Sequence, residues 1–236
     1  MWSGPRNIST AMMRSWGQRP DTYVCDEPFY AHYLEVTGLD HPGAADVIAQ
    51  HETDWRNVIQ TLLGDIPESK SIFYQKHMAH HLLPDMDRGW LLDVENCFLI
   101  RDPYEMLTSL TKNIPEPRIE DTGLPQQVEI FHYVSAHIGR TPPILDAKDV
   151  LTRPREMLQL FCQKIGVPFR DEMLSWPAGP RATDGVWARH WYHAVERSTE
   201  FQPYRPKSEQ LPDHLLDLYE CCSEYYNQLY ADRLGG

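Results

Sequence analysis

The chain has 236 residues, 42% of them hydrophobic and 24% charged, with a formal net charge of −12. That composition is globular and long enough to bury a substantial core, and it contains no run of about 20 apolar residues such as a membrane helix needs. An acidic chain lacks the basic footprint of sequence-independent nucleic-acid binding, so any anion it holds must be met by a few local arginines and backbone amides.

The opening residues read as the end of a strand running into a helix. Only Met1 and Trp2 precede the turn, which implies either a stunted central strand or residues upstream of this numbering. Asn7 or Ser9 caps the helix, Met12, Met13 and Trp16 carry it, and Arg19-Pro20 stops it. Neither a basic start nor an apolar middle marks the first residues as a secretory signal. Thr22-Tyr23-Val24-Cys25 reads as a short buried strand ending in Asp26-Glu27-Pro28. A helical period spans about Ala44 to Leu63 through Val47, Ile48, Trp55, Val58, Ile59 and Leu62, followed by a strand at Ser71 to Lys76. Cys97-Phe98-Leu99-Ile100 is the clearest buried strand. Arg101-Asp102-Pro103 ends it, with Asp102 as N-cap and Pro103 at the first position of a helix through about Thr111. A polar, proline-rich loop or lid covers Asn113 to Leu124. A helix from about Gln126 to Ile138, a strand at Pro143 to Asp146, and helices at Pro154 to Ile165 and Pro212 to Leu234 complete the pattern. Trp176 to Pro206 is rich in aromatics, arginines and glycines and has little periodicity.

Strands alternating with helices predict a single α/β domain over residues 1–236. Its expected architecture is a P-loop-containing three-layer αβα fold with a central parallel sheet. Ligands of such folds sit at the carboxyl ends of strands. Three turns there carry unusual polar residues: Ser3 to Thr10, Asp26 to Tyr30, and Arg101 to Ser109. Five cysteines at scattered spacings make no disulfide framework, and Cys221-Cys222 has no companion Cys-x-x-Cys, so a reducing cytoplasm is the expected setting.

In Ser3-Gly4-Pro5-Arg6-Asn7-Ile8-Ser9-Thr10, Gly4 permits a tight turn and the amides from Arg6 to Thr10 can point at one anion at a helix N-terminus. Arg6 adds a charged fork, and Ser9 and Thr10 add hydroxyls. The plainer alternative is a strand–helix turn capped by Ser9. A nucleotide kinase wants Gly-x-x-x-x-Gly-Lys-Ser/Thr here, and the loop has no lysine. Arg101 and Ser109, eight positions apart across a strand end and the next helix, can hold a second phosphate. The plainer alternative pairs Arg101 with Asp102 or Glu105 and leaves Ser109 exposed.

Phe98-Leu99-Ile100-Arg101-Asp102-Pro103 with Ser109 resembles the 3′-phosphate-binding motif of the sulfotransferases that use 3′-phosphoadenosine-5′-phosphosulfate (PAPS). Pro5-Arg6-Asn7-Ile8-Ser9-Thr10 is similar to that family's 5′-phosphosulfate loop, in the same order and at a matching separation. Leu145 to Val150 with Pro154, Leu158, Phe161, Ile165 and Gly166 resembles the family's late strand, acidic turn and helix. Asp184 to His190 is loosely similar to its C-terminal glycine and basic loop. The chain departs at Ile8, where the family has Gly, implying a cradle of somewhat different shape.

The resemblance implies a transfer of a sulfuryl group from PAPS to a hydroxyl or amine of a small-molecule acceptor. Gly4, Pro5, Arg6, Asn7, Ile8, Ser9 and Thr10 are then expected at the 5′-phosphosulfate, and Arg101 and Ser109 at the 3′-phosphate. Trp187 stacks on adenine, or merely packs, and Arg181 and Arg189 close on the 3′-phosphate side. The acceptor must lose a proton, so a base is required. Glu27 is the first candidate, matching the position of a glutamate base in several bacterial members. Histidines of Lys76-His77-Met78-Ala79-His80-His81 are the second, with His80 or His77 in the role of the family's Lys-Thr-His, and Lys76 either neutralises the leaving phosphate or faces solvent. No zinc signature surrounds these histidines, and no metal is expected. Tyr30 to His41 and Ile114 to Gly123 shape the acceptor pocket. Two rival readings remain open: a P-loop kinase of a small metabolite, and a nucleotide-binding protein of the same fold without turnover.

Overall fold

The structure is a computed structural model and describes residues 1–236. In chain order the elements are β1 (Trp2–Ser3), α1 (Ser9–Trp16), β2 (Thr22–Asp26), α2 (Tyr30–Thr37), α3 (Ala44–Gln50), α4 (Trp55–Leu63), β3 (Ile72–Met78), β4 (Phe98–Ile100) and α5 (Pro103–Leu110). There follow α6 (Leu124–Ile138), β5 (Ile144–Asp146), α7 (Ala147–Thr152), α8 (Pro154–Lys164), the one-turn α9 (Ala188–Trp191) and α10 (His193–Glu196), and α11 (Leu216–Tyr230). The pairs β1–β4, β4–β5 and β2–β3 are all parallel, so the chain is α/β with helix-flanked parallel strands, as its sequence pattern predicts. No helix is long and apolar enough to cross a membrane.

The chain forms two compact units. The first comprises Met1–Ser9, Glu95–Phe169 and Gln202–Gly236. Its middle strand is β4, whose Phe98, Leu99 and Ile100 are wholly buried, which explains why the sequence there is an unbroken apolar run rather than an alternation. β1 pairs Trp2 with Phe98 and Ser3 with Leu99. Ile100 lies opposite Asp146 on β5. On α6, the buried Gln127 donates to the Trp2 and Leu99 carbonyls at 3.2 and 3.1 Å, tying the two strand ends together. Asp102 caps α5 by accepting from the Glu105 amide, with Pro103 following it, as predicted. Asp146 caps α7, accepting from the Lys148 amide at 2.8 Å and from the Tyr226 hydroxyl at 2.9 Å. The last helix starts at Leu216 rather than Pro212, because Asp213–Leu215 forms a 3-10 turn first.

The second unit comprises Thr10–Val94 and Arg170–Phe201. β2 and β3 pair over five residues, from Thr22 with Ile72 to Asp26 with Lys76. The single helix expected over 44–63 is two helices. Asp54 accepts from the Arg56 amide at 2.9 Å and so caps α4, while Glu52 accepts from the Asp54 amide. The apolar period continues across a break that only the capping polar residues mark. α2 is a further helix, ended by Gly38 in the left-handed conformation at φ 66°. The 170–201 segment is pinned by a buried bidentate pair, Arg14 to Asp184, at 2.5 and 2.7 Å.

Candidate active site

The first cluster belongs to the first unit and is built on the turn after β1. Gly4 lies so close to the Thr122 carbonyl that a Cβ would sit 2.2 Å from its oxygen, which only glycine tolerates. Beyond it, Arg6 and Ile8 hold positive φ (63° and 58°) with Asn7 between them. Such sign alternation turns successive N–H groups toward one concave point, an anion-binding geometry, and the first N–H groups of α1 have no intrahelical acceptor. Ile8 thus occupies the left-handed region that a glycine enters freely. For a β-branched residue this is strain of roughly 1–3 kcal/mol, of the kind that collects at functional sites. Asn7 is buried, and its side-chain amide donates to the Leu99 carbonyl at 3.3 Å, anchoring the loop to the end of β4.

Residues 103 positions apart meet at this loop: Arg6 Nε donates to Ser109 Oγ at 2.9 Å. Arg101 Nη1 donates to the Arg6 carbonyl at 2.7 Å. Its Nε and Nη2 donate to Glu105 Oε2 at 3.2 and 3.0 Å. Tyr204 donates to the other Glu105 oxygen at 2.6 Å. Partial burial, and then the adjacent Arg101 charge, lowers the Arg6 pKa. Two guanidinium groups side by side are stabilised by a bound anion. Of the plainer alternative for Arg101, the Glu105 pairing is present, but Ser109 is buried rather than exposed. Arg101 lies beside the loop and Ser109, and it is also paired with Glu105. Tyr204, with no signal in the sequence, completes the pair.

The second cluster belongs to the second unit. Asp26 ends β2 with Glu27 next in the chain, and Lys76 lies opposite Asp26 on β3. Lys76 Nζ donates to Asp26 Oδ1 at 2.9 Å, to Tyr192 Oη at 2.8 Å, and to Glu27 Oε1 in a short contact. Its side chain is 1% exposed, which removes the solvent-facing alternative. Glu27 holds φ 41°, the third non-glycine residue with positive φ at a candidate site, after Arg6 and Ile8. Burial, opposed by Lys76 and reinforced by Asp26, raises the Glu27 pKa. The two carboxylates raise that of Lys76 far above its ordinary value, outweighing its burial. The sequence placed Lys76 at the end of an expected strand, and its partners depend on the strand register. Tyr192 had no signal.

His77 and His81 are buried in this same unit. Burial pushes the His77 and His81 pKa values well below the ordinary range, and that of His80 down to about 3. His81 stacks on Tyr30 (ring centres 4.7 Å apart) and on Tyr33 (4.6 Å), and Tyr30 hydrogen-bonds His41 at 2.9 Å. Trp187 is 2% exposed, edge-on to Tyr30 and against His51, which is the packing alternative. Arg189 pairs with Asp46, and Arg181 folds back onto the Pro177, Gly179 and Pro180 carbonyls.

A sulfotransferase domain model matches residues 1–232. The chain belongs to the sulfotransferase domain family. Among solved structures, this sulfotransferase-family chain is similar to the sulfotransferase domain of the Synechococcus PCC 7002 olefin synthase. That likeness has a TM-score of 0.54 and 18% identity over 96% of this chain and 92% of the other, and it bears on the fold. The sulfotransferase domain of the curacin biosynthetic pathway aligns over 97% of this chain and 95% of its own, with 16% identity and a TM-score of 0.48. Two Arabidopsis thaliana proteins, branched-chain-amino-acid aminotransferase-like proteins 2 and 1, are 33% and 34% identical over 228 residues. This sulfotransferase-family chain spans 40% of the length of each, so their names describe proteins with much additional sequence.

Proposed function

We propose that this chain is a PAPS-dependent sulfotransferase, transferring a sulfuryl group to a hydroxyl or amine of a small-molecule acceptor and releasing adenosine-3′,5′-bisphosphate. The observation that carries the reading is the Arg6–Ser109 bond beside Arg101. It gathers two guanidinium groups, a hydroxyl and a turn of alternating backbone sign at the end of β4. Gly4 to Thr10 hold the 5′-phosphosulfate through backbone amides and the Arg6 fork, and this turn is the P-loop. Arg101 and Ser109 hold the 3′-phosphate. PAPS supplies an activated sulfuryl group, and the protein aligns it and neutralises charge. Arginines and amides do that here without a metal.

Glu27 takes the acceptor's proton. A carboxylate with a raised pKa is the better base near neutral pH, and it sits on strained backbone at a strand end. A histidine pushed down to about 3, as His80 is, takes up a proton poorly. Five free thiols accord with a cytoplasmic setting.

Thermal stability measured with adenosine-3′,5′-bisphosphate, ATP and 5′-AMP tests the donor assignment. At 100 times its dissociation constant the bisphosphate stabilises by about 2.7 kcal/mol. In Arg101→Ala that selectivity is lost. Preference for ATP with magnesium in the wild type would replace this reading by a kinase.

A further inference from the structure

Lys76, Asp26, Glu27 and Tyr192 form one hydrogen-bonded group whose proton directions are fixed by counting donors. The Lys76 ammonium has three N–H groups, and its three acceptors are Asp26, Glu27 and Tyr192. Tyr192 Oη already accepts from Lys76 and from Trp187 Nε1 at 3.2 Å, so it donates its single proton. That proton goes to Asp26, whose oxygens lie at 2.8 and 2.9 Å, rather than to Glu27 at 3.3 Å. The Gly185 amide also donates to Asp26, at 3.3 Å. Asp26 therefore gathers Lys76, Tyr192 and an amide, whereas Glu27 has Lys76 as its one close donor, with Tyr192 at 3.3 Å, and keeps 11% side-chain exposure.

We propose that Asp26 and Tyr192 are positioning residues for Glu27: they fix Lys76 so that one ammonium proton, and no other strong donor, reaches the Glu27 carboxylate. This rests on the reading of Glu27 as the base. It also gives the 184–192 segment a role different from nucleotide binding. Gly185 is glycine because a Cβ there would lie 2.2 Å from the Trp187 indole, and that indole in turn holds the Tyr192 hydroxyl. The groups facing Glu27 are Asp26 beside it on β2, Lys76 from β3, Tyr192 after α9 and Tyr30 from α2.

The consequences for the two variants run in opposite directions. Asp26→Asn removes a negative charge beside Glu27 and frees more of Lys76 for it, so Glu27 ionises at lower pH. Tyr192→Phe takes a donor from Asp26, which then draws Lys76 away, so Glu27 ionises at higher pH. The experiment is carbon-13 NMR titration of the Glu27 carboxyl in the free protein, with Glu27→Gln assigning the resonance and circular dichroism checking each fold. Opposite displacements of at least half a pH unit are expected. With active protein, the acid limb of kcat/KM moves in step, while affinity for adenosine-3′,5′-bisphosphate stays within twofold. Titrations of both folded variants that coincide with wild type overturn the proposal. If Asp26→Asn does not fold, a Tyr192→Phe titration that stays put or moves down is enough to do so. Opposite displacements in a protein that transfers no sulfuryl group support the positioning pair and refute the proposed reaction instead.

Discussion

Gly4 shows how one residue's volume shapes the proposed donor loop. The backbone of the 3-10 turn at Ile119–Thr122 sits where its Cβ would be, and backbone cannot swing aside as a long side chain can. Gly4→Ala is expected to cost about 1–3 kcal/mol, as overpacking of a tight site does. Chemical denaturation gives the difference, and a value under about 0.5 kcal/mol would mean that the loop relaxes. Ile8 illustrates the opposite case. Its side chain departs from the glycine of the family loop, yet its backbone lies in the region glycine favours. The surrounding structure imposes the turn, and the residue carries the strain. A sequence shows the substitution at Ile8, but not that the backbone conformation persists.

Three helices, α4, α5 and α7, start at an aspartate cap. Asp102 holds the first turn of α5, the helix that carries both Glu105 and Ser109. Asp102→Ala is expected to destabilise by about 1 kcal/mol, the usual loss for an N-cap. Because the cap also sets where α5 begins, bisphosphate affinity is expected to fall with it, which calorimetry measures. Unchanged affinity would show that the register of α5 is held by packing alone. Every strand and the longer helices were legible from periodicity and capping signals, whereas the short helices α2, α7, α9 and α10 were not. β4 and the start of α5 are the clearest of the legible examples, since three wholly buried apolar residues precede Arg101-Asp102-Pro103. The break at 51–54 was not, because an apolar period carries no information about a turn that leaves its phase intact.

At the scale of the whole molecule, burial of neutral histidines in the second unit makes stability depend on pH. His77 and His81 are each 3% exposed and have pKa values well below 6.5. Below about pH 6.5 the unfolded chain binds protons that the folded imidazoles refuse. Stability present above that pH is lost as the pH falls toward the folded values, about 3 in the case of His80. Each such histidine costs about 1.4 kcal/mol per pH unit over this window. Melting temperature is expected to fall steeply between pH 6.5 and 5, and His81→Phe, which preserves the ring packing against Tyr30 and Tyr33, to flatten the fall. An equal fall in the variant would assign the acid sensitivity to other groups.

By itself the sequence determined the alternation of parallel strands and helices, the turn after β1, the Arg101 and Ser109 positions and Glu27 as a carboxylate at a strand end. Each is local: an apolar run, a cap or a spacing within one strand–turn–helix passage. Tertiary structure alone decided that Arg6 bonds Ser109 across 103 positions, that Glu105 and Tyr204 hold Arg101, and that Tyr192 joins Asp26 and Lys76. It also decided that Trp187 packs inside its unit. Those pairings depend on strand register and on where returning segments come to rest. The free energy that fixes them is burial summed over many residues, and no short stretch of sequence contains it.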